Sequence, residues 1–199
     1  MTLAAPARLK VLFAPEAPIA VIYRLGPAKK TQVWLWNTEV DEFTPGQWID
    51  GRAQESSTLS PDGRYVITHV MRNNQVTVLS HPPFFAALAL TEKAICLGGV
   101  HFTSDGSINS FFDEYPAPKD QCPILIHYWL EQVEDRPVDN QPLDSRNKHE
   151  ATGFDQRGRT ITLHEGCVGV VEHGETRWLI DLNPYRPEDV AAPDWALRW

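Results

Sequence analysis

Three times along the chain an apolar residue is followed four positions later by a glycine, and each time a β-rich run begins just beyond. The copies are Leu59-Ser60-Pro61-Asp62-Gly63-Arg64, Phe102-Thr103-Ser104-Asp105-Gly106-Ser107 and Phe154-Asp155-Gln156-Arg157-Gly158-Arg159. The runs behind them cover 65–70, 108–112 and 160–164. Glycine takes up positive φ at no steric cost, so each copy reads as a strand end held by its apolar anchor, a tight turn and a second strand. A looser fourth copy, Phe13-Ala14-Pro15-Glu16-Ala17 before the strand-like 19–23, lacks the glycine.

The anchors Phe13, Leu59, Phe102 and Phe154 are 46, 43 and 52 residues apart. That is the length of a unit of about four strands, roughly 40–50 residues. Further strands fill the periods at 31–36, at 75–79 after a turn at 72–74, and at 167–171 and 176–180 around His173-Gly174-Glu175. The stretch 82–90 reads as a short helix begun by prolines or as an apolar strand, and 187–192 as one or two turns of helix.

The pattern apolar-Ser-Pro-Asp-Gly-Arg before a β-rich run resembles blades of the WD40-like and TolB-like β-propellers, and its spacing covers nearly the whole chain. No Trp-Asp dipeptide ends a unit and no Gly-His pair opens one, so the likeness stops short of the true WD40 group. The resemblance implies an all-β, β-propeller-like fold of about four repeats, 1–51, 52–95, 96–150 and 151–199, within one domain, 1–199. Such a ring closes within a monomer or by pairing in a homodimer; the alternative architecture is a β-sandwich or barrel.

Charge and cysteine usage narrow the function. Residues 1–100 carry 9 basic and 8 acidic side chains and residues 101–199 carry 9 and 18, so the whole excess behind the net charge of −8 lies in the second half. Phosphate binding needs the opposite sign, which argues against a nucleic-acid partner and for another protein, a basic one. No apolar run approaches the ~20 residues of a membrane span, and prolines interrupt the apolar stretch near the amino terminus, so no membrane association and no secretory leader are expected. Cys96, Cys122 and Cys167 form no C-x-x-C pair, which suits the reducing cytoplasm.

No linear motif names a reaction: G-x-x-x-x-G-K-[ST], G-x-G-x-x-G after a strand, G-x-S-x-G and H-E-x-x-H are all missing. His164-Glu165-Gly166-Cys167 puts an imidazole, a carboxylate and a thiol together, but strand alternation is expected to send neighbours to opposite faces. His164 and His173, possible neighbours, lack a third metal ligand, and the acid pairs Asp113-Glu114, Glu134-Asp135 and Glu188-Asp189 read as solvated. No cofactor or metal is called for. The polar stretch 131–150 makes the longest repeat step, and its Glu134, Asp135, Arg136, Asp139, Asp144 and Arg146 are the expected partner contacts. The expectation is a non-enzymatic interaction module with an acidic face, such as an immunity or inhibitor protein. Its alternatives are a small propeller-type hydrolase with a site at the channel mouth and a lectin-like binder using exposed tryptophans.

Overall fold

The computed structural model describes residues 5–26, 29–53, 56–71, 74–92, 100–109, 112–127, 142–145 and 150–199. The described chain is all-β. Its strands are β1 (Arg8–Phe13), β2 (Ile19–Leu25), β3 (Lys30–Asn37), β4 (Glu42–Asp50), β5 (Arg52–Ala53), β6 (Thr58–Leu59), β7 (Val66–Met71), β8 (Gln75–Ser80) and β9 (Ala89–Thr91). They continue as β10 (His101–Phe102), β11 (Ile108–Asn109), β12 (Ile126–His127), β13 (Leu143–Asp144), β14 (Glu150–Phe154), β15 (Thr160–His164), β16 (Cys167–Glu172) and β17 (Glu175–Asp181). The named helical elements are 3-10 turns at Lys119–Gln121 and Asp194–Leu197, and no described residue is α-helical. The stretch 82–90 is therefore a turn leading into β9, and 187–192 is extended.

The described strands form four sheets that follow one another along the chain, except that β13 returns to the first. The first is ordered β13-β1-β2-β3-β4; the second runs β5-β7-β8-β9 with β6 also on β7; the third is β10-β11-β12; the fourth is β14-β15-β16-β17. None closes into a barrel. Every pairing is antiparallel except β11 with β12.

The three glycine turns occupy the same place in their sheets. Gly63, Gly106 and Gly158 have φ of 73°, 82° and 75°, and each amide donates to the carbonyl three residues back: Ser60, Thr103 and Asp155. In each turn an aspartate takes the exposed amides. Asp62 accepts from the Arg64 amide, Asp105 from the Ser107 amide, and Asp155 from those of Arg157 and Arg159. The strands close at Phe102↔Ile108 and Phe154↔Thr160, but at Leu59↔Val66 in the first copy, which holds one residue more. The glycine-free fourth copy has that longer form: Phe13 pairs with Ala20, and the Ala14 amide donates to Ile19 as that of Ser60 does to Tyr65.

Alternation along the strands then stacks the sheets. On the first sheet Leu9, Val11, Ile22, Trp34 and Trp36 face Ile161, Leu163, Val168 and Val170 of the fourth. The intervening Leu12, Val21, Tyr23 and Val33 face Leu59 and Val66 of the second. The other side of the second, with Tyr65, Ile67 and Leu79, packs on Phe102 and Ile108 of the third. The order of packing is thus fourth, first, second, third, so the end of the chain lies against its beginning.

Residues 182–199 strap this stack. Arg24 Nε donates to the Leu182 carbonyl, Gln47 Nε2 donates to that of Val190 at 2.8 Å, and His81 Nε2 to that of Arg198 at 2.9 Å. Trp199 ends against the core between the second and third sheets. No helix among the described residues is long and apolar enough to cross a membrane.

Candidate docking face

Paired residues on neighbouring strands share a face, so the outward side of the fourth sheet can be read as three rows. The first is Phe154, Thr160, Val171, Thr176; the second Thr152, Thr162, Gly169, Trp178; the third Glu150, His164, Cys167, Asp181. No lysine or arginine stands in these rows. Phe154 is 71% exposed and Trp178 50%, large values for aromatic side chains on a sheet whose other face is core. No apolar core cluster among the described residues joins this face to the third sheet.

The local chemistry places Trp178. A bulge between Val168 and Gly169 shifts the register so that Trp178 lies opposite Gly169, and a β-carbon at 169 would come within 2.9 Å of the indole. The glycine thus gives the ring a flat seat. The His164 ring lies 6.1 Å from the indole, centre to centre. The acids Glu150 and Asp181 end the third row, and Glu165 projects from the adjacent turn. Thr162 and Gly169 stand in the middle of this surface, the two aromatics on its opposite edge strands β14 and β17, and the acids at the end away from Phe154.

His164 and Cys167 share this face, contrary to the alternation expected of neighbours. Glu165 and Gly166, with φ of 46° and 83°, make a two-residue turn, and the two side chains face each other from different strands. They do not form a nucleophile pair: burial raises the Cys167 thiol above its ordinary value, and the carboxylates of Asp181 and Glu165 raise it further, so the thiolate is disfavoured. His173 stands at the opposite end of β16 from His164. Among the described residues no three of His, Cys, Asp and Glu cluster as a metal would require.

Buried polar side chains flank the second sheet on both faces, Lys10, Tyr23, Ser57 and Thr68 toward the first sheet and His69 and Thr77 toward the third. Tyr23 Oη and Thr68 Oγ1 are 2.6 Å apart, and Lys10 Nζ sits 5.6 Å from the Tyr23 ring centre. The Ser57 hydroxyl accepts from the His69 amide, and His69 Nδ1 lies 2.8 Å from Thr77 Oγ1. Burial pushes the Tyr23 hydroxyl above its ordinary range, with Thr68 and Ser57 opposing, and lowers His69 to about 4. Each of these six side chains is almost completely shielded from solvent, so the Tyr23–Thr68 contact ties the second sheet to the first, His69 binds the Val100 carbonyl ahead of β10, and neither group offers access to substrate.

Of the expected contact residues, Glu134, Asp135, Arg136, Asp139 and Arg146 lie outside the described residues. Asp144 is half-buried in β13, opposite Lys10 on β1, and belongs to the first sheet. Asp113 accepts from Thr91 Oγ1 at 2.7 Å. The turn anchors also differ from expectation: Leu59 and Phe102 are buried, while Phe154 faces outward, where no other described sheet packs on the fourth. Neither Phe154 nor Trp178 carried a sequence signal for binding; which face of a strand is left uncovered depends on the sheets around it.

No protein-family model, no curated protein and no solved structure matches this chain.

Proposed function

We propose that the protein is a non-enzymatic interaction module of propeller-like build, whose fourth sheet receives a basic protein partner. Three features support the blade-like reading. Apart from β13, which joins the first sheet, the sheets follow in chain order, comparable glycine turns connect strands in three of them, and the last sheet packs on the first. The observation that carries the binding role is the outward face of the fourth sheet, on which no other described sheet packs, with exposed Phe154 and Trp178 on its two edge strands and Glu150, Glu165 and Asp181 toward the end away from Phe154. Exposed aromatic side chains are frequent anchors of protein interfaces, and acids without lysine or arginine in the rows select a basic partner and speed its approach. An inhibitor or immunity role fits this chemistry. The acidic stretch that holds Glu134, Asp135 and Asp139 would add to the same attraction.

The test is capture from the source organism's lysate with wild type, with Phe154→Ser/Trp178→Ser and with Glu150→Gln/Asp181→Asn, followed by titration of the purified partner. One basic protein, lost from the aromatic variant and weakened by salt or by the acid-to-amide variant, supports the role. Capture indifferent to all of these removes it, and a concentration-dependent dimer abolished by Phe154→Ser/Trp178→Ser would replace the foreign partner by a second copy of this chain. Trp178 with its exposed ring also suits stacking on a sugar; a glycan array that answers to Trp178→Ser would favour the lectin-like reading.

A further inference from the structure

Away from the docking face, a cleft of about 550 Å³ opens between the last strands of the first sheet and the second sheet, with the carboxy-terminal strap as one wall. That volume lies in the range of small-molecule sites, roughly 300–1,000 Å³. One part of its wall is apolar: Val70, Val76 and Val78 from the second sheet, Trp48 from β4, and Phe85 from the segment after β8; the rest is polar or charged. Its charge is mostly negative. Asp50 is held by Lys30 at 3.3 Å, whereas Glu188 and Asp189, contributed by the strap, make no ion pair among the described residues.

Trp48 gives the cleft a further property. The Arg24 guanidinium lies 5.0 Å from the centre of its ring system, which fixes the indole in place and leaves it to offer apolar surface to the cleft. Its Nε1 is buried without a hydrogen-bond partner, a donor left over in an otherwise apolar wall. Aromatic and aliphatic walls, two uncompensated carboxylates and the absence of histidine from the lining do not suit acid–base chemistry on a substrate. They suit retention of a positively charged small molecule.

We propose that this cleft binds a compact organic cation: an ammonium group carried on an apolar body, the ammonium toward Glu188 and Asp189 and the body against Trp48, Phe85 and the valines. The strap then has a role beyond bracing the sheets, since it supplies the two carboxylates. The site is separate from the outward face of the fourth sheet and does not depend on that face having a partner.

Phenethylammonium serves as the probe, with 2-phenylethanol and phenylacetate as neutral and anionic counterparts of similar shape. Binding is followed by calorimetry and by the Trp48 indole N–H resonance, assigned with Trp48→Phe. Phenethylammonium is expected to bind best and phenylacetate worst. Glu188→Gln/Asp189→Asn should weaken the ammonium by roughly three- to tenfold, as for partly exposed charges, and leave 2-phenylethanol unchanged. Both positions are exposed, and unchanged circular dichroism confirms that the variant stays folded. Equal affinity for the ammonium and the carboxylate, an unaltered ammonium affinity in the double variant, or no binding of any probe would overturn the assignment.

Discussion

Arg159 and Asp41, 118 residues apart, meet where the glycine turn of the fourth sheet reaches the first, with Arg159 Nη1 3.1 Å from both carboxylate oxygens. The same guanidinium donates through Nε to Asp155 at 2.7 Å and through Nη2 to the Thr38 carbonyl at 2.6 Å. One planar side chain thus ties its own turn to the β3–β4 hairpin. Arg159→Leu strips partners from a buried Asp155 carboxylate and from Asp41, and is expected to cost about 2–4 kcal/mol in urea unfolding. Arg159→Lys should recover less than half of this, because an ammonium cannot reproduce the fork.

The three equivalent glycines make an internal comparison. A β-carbon on Gly158 would meet no atom within 4 Å and one on Gly106 only Pro61 at 3.9 Å, whereas on Gly63 it would lie 2.7 Å from Ile19 Cβ in the first sheet. Alanine at 106 or 158 should therefore cost the left-handed backbone alone, about 1–2 kcal/mol. Gly63→Ala adds a clash between sheets and should cost about 3 kcal/mol or more. Equal losses at all three positions would contradict the packing of the second turn on β2.

His69 predicts how stability responds to acid. Its Nε2 faces the Val100 carbonyl at 3.1 Å and must donate, so Nδ1 accepts from Thr77, and the neutral ring is fully satisfied. Burial, with Lys10 and His101 adding repulsion, lowers it to about 4 from the ordinary 6.5. The unfolded chain therefore takes up the proton first as pH falls, and the stabilisation, complete above about pH 6.5, is lost progressively down to about pH 4. The loss should be on the order of a few kcal/mol in denaturant titrations across that window, and His69→Gln should flatten the slope.

Gly169 seats the Trp178 ring, and its backbone is free of left-handed strain. Gly169→Ala should lift the indole, shift its emission and weaken partner capture. Because the ring is half in solvent already, the stability change should stay near 1 kcal/mol. Intact capture by Gly169→Ala would separate Trp178 from the docking role.

Much of the β architecture can be read along the chain because it depends on neighbours in sequence. The strands 19–23, 31–36, 75–79, 167–171 and 176–180 all lie within observed strands, where β-branched and aromatic residues alternate between turns. The positive φ of Gly63, Gly106 and Gly158 follows from the same local logic. The His164–Cys167 hairpin escaped it, since a two-residue turn without an obvious Asn-Gly or Asp-Gly pair puts the two residues on one face. The helical possibilities at 82–90 and 187–192 also gave way: the first bends into β9, and the second is drawn out as it crosses from β4 toward His81.

The linear order of residues was enough to determine an all-β chain of glycine-headed units, because turn geometry and strand alternation are decided within a few residues. Which sheet lies on which was decided only in three dimensions. Leu59, Phe102 and Phe154 occupy the same place in their turns, yet two are core and one is open to solvent. The free energy of an apolar side chain depends on whether another sheet covers it, and that cover comes from strands remote in the chain rather than from neighbours in sequence.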